Sequence, residues 1–283
     1  MGMPVSIEVL DDIEPEAVSN AFGWLREVDA TFSTYRHDSQ ISRLARGRLV
    51  PEAADPDVRE VLASCEALRR ATGGFFDIRA GGRLDPSGFV KGWAVERAAA
   101  ILEQAGASRF WMNAGGDVLV RGGEPWRIGI RHPRLPDRLA GVVALTDGAV
   151  ATSGAYERGH HVVDPHTGRP PRDTLSVTVV GRDLGTADAY ATAAFAMGAR
   201  GPAWTTSLSG FEAMTILDDD RVLTSPGFLN YCPGGSVAAS LRLDPPTWCR
   251  MATVSGAETP SGRRIQPQEV SGSGRRTYRQ PSI

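Results

Sequence analysis

The sequence predicts an α+β fold, in which mixed and antiparallel β-sheets pack against helices. Short apolar runs of strand character gather between residues 110 and 180, and stretches with helical spacing flank them on both sides. The two kinds of segment do not alternate strictly, as a doubly wound parallel sheet would require. A chain of 283 residues with 41% hydrophobic and 23% charged residues also has the means to bury a sizeable core.

Residues 1–10, Met-Gly-Met-Pro-Val-Ser-Ile-Glu-Val-Leu, alternate like a strand. A helix begins after Pro15, with Val18, Phe22, Leu25 and Val28 on one face. In the polar stretch that follows, Ser39 is placed to cap a short helix. Val58, Val61, Leu62, Cys65 and Leu68 mark an amphipathic helix closed by Thr72-Gly73-Gly74. The segment 75–92 reads as a loop carrying Asp77, Asp85 and Lys91, with a helix over 93–105 stopped by Gly106.

Strands are expected at 110–113, 118–121, 126–131, 142–145, 150–151 and 175–180. A helix over 187–197, with Thr186 as its cap, precedes a closing hairpin over 215–225 around an Asp-rich turn. Beyond Phe228, Ser, Gly, Pro and Arg dominate without periodicity. The chain therefore divides into a folded domain over 1–228 and a low-complexity, disordered C-terminal tail over 229–283.

A formal net charge of −2 favours neither a nucleic-acid nor an anionic-membrane partner. Three scattered cysteines, none in a Cys-x-x-Cys pair, suggest neither a disulfide framework nor a zinc site. No apolar run resembles a signal peptide or reaches the roughly 18 residues of a membrane span, so the chain as written is expected to be cytoplasmic. A start upstream of Met1 stays open.

Three groups of residues have chemical potential. No P-loop or dinucleotide fingerprint is present, yet three glycine-bearing stretches remain: Gly88-Phe-Val-Lys91-Gly92, Asn113-Ala-Gly-Gly-Asp117 and Thr152-Ser-Gly154. Small residues there let backbone amides approach a phosphate, and Gly92 is expected to open a helix whose N-terminus favours an anion. Asp188 and Thr192 lie four apart on one helical face. With a backbone carbonyl they make a hard-oxygen set suited to Mg²⁺, or else an aspartate of the first turn beside a packed threonine.

The third group is the stretch 152–168, whose seventeen residues hold His160, His161 and His166. On an extended backbone His161 and Val163 face one way, while His160, Val162 and Asp164 face the other. A compact zinc site from all three histidines is therefore not expected; a single histidine acting as acid or base is easier to build.

Taken in order, seven motifs resemble the ApbE family of FAD:protein FMN transferases. They are Met1-Gly2-Met3, Phe32-Ser-Thr-Tyr35-Arg-x-x-Ser39, Gly88-x-x-Lys91-Gly92-Trp-Ala-Val-Glu96, Asn113-x-Gly-Gly-Asp117, Thr152-Ser-Gly-x-Tyr156-Glu157, His161-Val-Val-Asp164-Pro-x-Thr-Gly168 and Ala187-Asp188-Ala-x-Ala-Thr192-Ala. The resemblance runs from Met1 to about Phe228. It implies an enzyme that binds FAD and Mg²⁺, moves FMN onto a threonine or serine hydroxyl of an acceptor flavoprotein and releases AMP. Carried over by position, it implies Asp188, Thr192 and the Val90 carbonyl as metal ligands. His161 is then the catalytic base, and Met1, Tyr35, Lys91, Glu96, Ser153 and Gly154 surround the flavin and its phosphates.

Two other outcomes fit the same residues: a pyrophosphatase splitting FAD into FMN and AMP, and a non-catalytic FAD-binding protein. The chain departs from the family's common pattern at Phe89, at Val90 and at Met3, where threonine is usual, and at Glu96, where aspartate is frequent. These departures bear on cofactor affinity more than on reaction type.

Overall fold

Residues 15–32 lead the fold as the first helix, because Pro15 pre-sets the entry dihedral and Val18, Phe22, Leu25 and Val28 fall on one buried stripe. A computed structural model describes residues 2–154, 162–237, 241–242, 251–253 and 276–280. The helices are α1 (Pro15–Phe32), α2 (Gln40–Ala45), α3 (Pro56–Ala71), α4 (Ser87–Gln104), α5 (Leu184–Ala196) and α6 (Gly201–Thr205). The strands are β1 (Val5–Val9), β2 (Phe110–Ala114), β3 (Asp117–Arg121), β4 (Trp126–Arg131), β5 (Arg138–Leu145) and β6 (Gly148–Gly154), followed by β7 (Thr174–Gly181), β8 (Glu212–Leu217), β9 (Val222–Thr224), β10 (Leu241–Arg242), β11 (Met251–Thr253) and β12 (Arg276–Gln280). None of the helices among the described residues is long and apolar enough to cross a membrane.

Among the described residues an eight-stranded sheet runs β12-β1-β2-β3-β6-β7-β8-β9, and a four-stranded sheet runs β10-β5-β4-β11. Every pairing in the larger sheet is antiparallel. The smaller sheet is mixed, since β11 runs parallel to β4.

Strand alternation explains the layering. Leu119, Ala149, Ala151, Val177 and Val179 point into a core shared with α1, α3, α4 and α5. Their neighbours Val118, Val120, Val150 and Val180 point to the opposite face and pack with Ile128, Ile130 and Val143 of the smaller sheet. Strands β3, β6 and β7 are thus buried on both faces, which accounts for their continuous apolar runs. The result is three layers, helices over sheet over sheet.

Several local expectations hold. The Ser39 hydroxyl accepts the Ser42 N–H at 3.0 Å and caps α2. Thr72 closes α3, with Gly73 and Gly74 following at positive φ. The 215–225 hairpin forms between β8 and β9, with Asp220 at φ 64° in its turn.

Two expectations need correction. Helix α4 starts at Ser87, six residues before 93, so Gly88–Gly92 is helix rather than loop and Gly92 opens nothing. The Asp85 carboxylate receives the Ser87 N–H at 3.0 Å and organises that start. The two glycines are packing residues. A Cβ on Gly88 would lie 3.3 Å from Phe76 and 3.5 Å from the Thr192 hydroxyl, while one on Gly92 would meet the Gly185 backbone at 2.5 Å. Helix α5 starts at Leu184 and is capped by Asp183, whose carboxylate accepts the Thr186 N–H at 2.6 Å.

Beyond residue 228, where composition leads to the expectation of a low-complexity tail, a few short pieces are described. Cys232 is buried in the second core beside Phe228, the last residue of the expected domain. Strand β12 pairs residue for residue with β1, from Val5 opposite Gln280 to Val9 opposite Arg276. Tyr278 is buried there, Thr277 donates to Glu8 at 3.2 Å, and Arg276 pairs with Asp12 at 3.3 Å. The physical reason is that β1 carries a row of backbone donors and acceptors on that side, which even a short polar strand can satisfy.

Candidate functional site

The helical layer and one end of the larger sheet enclose a cleft of about 580 Å³. Its walls come from loops 33–35 and 75–85, the first turns of α4, the end of β6 and one face of α5. The lining divides chemically. Phe32, Tyr35, Phe75, Phe76 and Ile78 supply apolar and aromatic surface, whereas Lys91, Ser153, Asp188 and Thr192 supply charge and hydroxyls. Tyr35 stands out because it is 80% exposed while lining the cleft.

Each polar residue reaches the cleft for a local reason. Alternation along β6 turns Ser153 to the same side as Ala149 and Ala151, towards the helices, and its hydroxyl lies 3.2 Å from that of Thr192. Asp188 and Thr192 are one turn apart on α5, so both side chains project from one face. Lys91 comes from α4 and places its ammonium 2.5 Å from Asp117 and 3.5 Å from Asp188. Both carboxylates are buried, at 1% and 3% exposure, where a charge is costly unless paired.

The structure brings together six of the residues singled out from sequence: Tyr35, Val90, Lys91, Ser153, Asp188 and Thr192. Gly154 ends β6 beside Ser153, buried but outside the lining. Met1 and His161 lie outside the described residues, as do His160, Tyr156 and Glu157. The third histidine of that stretch, His166, does not line the cleft. Its ring contacts the Gly73 carbonyl at 3.1 Å and meets Phe75 edge-on, while the His166 backbone N–H donates to the Asp164 carboxylate at 2.9 Å within the 164–169 turn.

Glu96 takes a different place from the one carried over by resemblance. It does not line the cleft. One oxygen accepts the Leu184 N–H at 2.9 Å at the start of α5, and the other accepts from Arg121 at 2.7 Å. Glu96 therefore ties α4 to α5 and β3, just one turn from the Gly92–Gly185 contact. Burial raises its carboxyl above the ordinary glutamate range, against the lowering pull of the Leu184 N–H and Arg121. Stability tied to this group is thus whole below the ordinary range and falls as pH rises through the shifted value. Glu96→Ala is expected to cost about 1–3 kcal/mol in urea unfolding, because it removes the acceptor of the Leu184 N–H, while Arg121 keeps Glu103 at 3.0 Å. Glu96→Gln should keep the Leu184 bond and flatten the pH dependence of the unfolding midpoint.

The sequence names Asp117 and Met3 only as members of motifs; Met3 lines the cleft, whereas Asp117 touches it only through Lys91. Asp117 was visible only as the last letter of a glycine-rich motif, with no partner to define it. Met3 packs beneath Gly115, where a Cβ would sit 3.0 Å from the methionine sulfur; Gly115 itself has φ 58°. This contact closes one side of the cleft.

The residues present suit a hard cation. A carboxylate, a hydroxyl and a carbonyl from Asp188, Thr192 and Val90 border the same cleft, and all are hard oxygens. The Val90 carbonyl belongs to a helical turn, but a carbonyl has a second lone pair to offer. Gly88 leaves the space beside Thr192 without a side chain. Among the described residues no group of three or more His, Cys, Asp or Glu side chains is placed to hold a metal ion elsewhere.

Fold and cleft together define an α+β protein with an aromatic pocket joined to a lysine and a hard-oxygen set. The chain belongs to the ApbE family, whose model matches residues 1–83 and 79–215. Among relatives, it is 31% identical over 201 residues to the FAD:protein FMN transferase of Klebsiella pneumoniae, covering 66% of this chain and 63% of that protein. The Haemophilus influenzae FAD:protein FMN transferase is 26% identical over 272 residues, covering 70% and 79% respectively. The match to the Vibrio cholerae protein of that name is 36% over 129 residues, which is 41% of this chain and 39% of the relative's length.

Among solved structures, the flavin transferase ApbE from Vibrio cholerae superposes with a TM-score of 0.73 at 25% identity, covering 82% of this chain and 96% of that one. The ApbE protein from Thermotoga maritima gives 0.71 at 23% identity, covering 81% and 96%, which supports the fold.

Proposed function

We propose that this protein is an FAD:protein FMN transferase that works with Mg²⁺. FMN passes from FAD to a threonine or serine hydroxyl of an acceptor flavoprotein, and AMP leaves. The bond formed is from the hydroxyl oxygen to the FMN phosphorus, the bond broken is the pyrophosphate bridge, and the hydroxyl proton goes to a base. The observation that carries this reading is the Lys91 ammonium held between two buried carboxylates, in the same cleft as the Ser153–Thr192 hydroxyl pair and an aromatic wall.

Phosphoryl transfer asks chiefly for positioning and charge neutralisation, and the chain's residues divide those tasks. Tyr35, Phe75 and Phe76 offer faces for a flat ring system. Lys91 offers a positive charge to a phosphate oxygen. Asp188, Thr192 and the Val90 carbonyl would hold Mg²⁺, which when bound neutralises charge on the pyrophosphate. A threonine hydroxyl is a weak nucleophile, and we assign the base to His161 on the strength of its sequence motif.

The test is to mix the full chain with FAD, Mg²⁺ and candidate acceptor domains bearing a threonine, and to weigh the acceptors intact. One added FMN per acceptor, absent when EDTA is present, is expected. Release of free FMN and AMP with every acceptor left unmodified would reassign the site to FAD hydrolysis.

A further inference from the structure

We infer that Asp117 is a positioning residue: it draws the Lys91 ammonium away from Asp188, so that the lysine does not compete with a cation there. The inference rests on the reading of the cleft as a cation and phosphate site.

The geometry is asymmetric. Lys91 Nζ stands 2.5 Å from Asp117 Oδ2 but 3.5 Å from Asp188 Oδ2, and the nearer contact dominates the attraction. Asp117 is also held in place. It is the first residue of β3, 1% exposed, and its second oxygen accepts the Thr152 N–H at 3.2 Å. That N–H lies past the end of the β3–β6 ladder, whose last pair is Val118 with Val150. Asp117 therefore extends the sheet by one side-chain bond and cannot follow the lysine. Lys91, by contrast, hangs on a flexible stem with 17% of its side chain exposed. Without the Asp117 charge, the ammonium has Asp188 as its near buried carboxylate. An uncompensated buried charge is costly, so the lysine would move onto Asp188.

The probe is Mn²⁺ alone, titrated into the full-length protein and followed by the spin-resonance signal of the free ion. Asp117→Asn should weaken Mn²⁺ binding by about tenfold or more. In a Lys91→Met background the same Asp117→Asn change should alter binding by less than about twofold, because the competitor is gone. Equal weakening in both backgrounds would mean that Asp117 acts only as scaffold and would overturn the inference. So would unchanged binding in Asp117→Asn.

If Asp117→Asn does not fold, Lys91→Met alone decides. A change below about threefold fits a lysine already held off Asp188, and a gain of about tenfold contradicts it. None of these measurements needs FAD or an acceptor. A chain that fails to transfer FMN yet shows this Mn²⁺ pattern loses the functional reading and keeps the inference.

Discussion

Asp188→Ala is expected to abolish metal-dependent FMN transfer, with a loss of at least a hundredfold by acceptor mass analysis, about the cost of removing an electrostatic group from a preorganised site. Of the three oxygens proposed for the metal, only the Asp188 carboxylate carries charge; Thr192 and Val90 contribute a hydroxyl and a carbonyl. Its place on α5, at 3% exposure, gives the cation little water to fall back on. The loss should not come from unfolding, since Lys91 keeps its closer ion pair with Asp117. Thermal melting followed by circular dichroism separates the two causes. An Asp188→Ala protein that melts like the parent and still transfers FMN at the parent rate would remove Asp188 from the site.

Gly92→Ala should produce a large loss of stability from a single methyl group. The added carbon would sit 2.5 Å from Gly185 N and from the Leu184 carbonyl carbon, both backbone atoms that cannot rotate away. The α4 and α5 helices would have to separate, and overpacking of this kind costs about 3 kcal/mol. Gly23→Ala on α1 is the internal control. Its new methyl meets only the end of the Arg26 side chain at 3.8 Å, so helix propensity should prevail and stabilise by roughly 0.5–1 kcal/mol. Urea unfolding of both variants should give opposite signs. Equal and small effects would mean that the close α4–α5 crossing does not exist in solution.

The contrast between these two glycines shows where sequence reading stopped. Helices α1 and α3 were legible because their buried residues recur at helical spacing within one segment. Helix α4 was only half legible. Gly88 and Gly92 read as loop residues from their own preferences, and α5, whose backbone comes within contact of Gly92, is far along the chain. Strand β12 was invisible for the same reason. Thr-Tyr-Arg is too short a pattern to declare itself, and its partner β1 lies at the other terminus, 269 residues away between Thr277 and Glu8.

Sequence by itself determined the α+β class, the family motifs and the residue types of the cleft, because these are written in local periodicity and in the order of short motifs. Tertiary structure alone decided which carboxylate holds Lys91. It also decided that Glu96 ties helices together instead of lining the cleft, and that part of the C-terminal segment completes the sheet. Each of those outcomes depends on a pair of residues far apart in the chain, such as Glu96 and Leu184 at a separation of 88. Their contact energy exists only after the layers between them have packed.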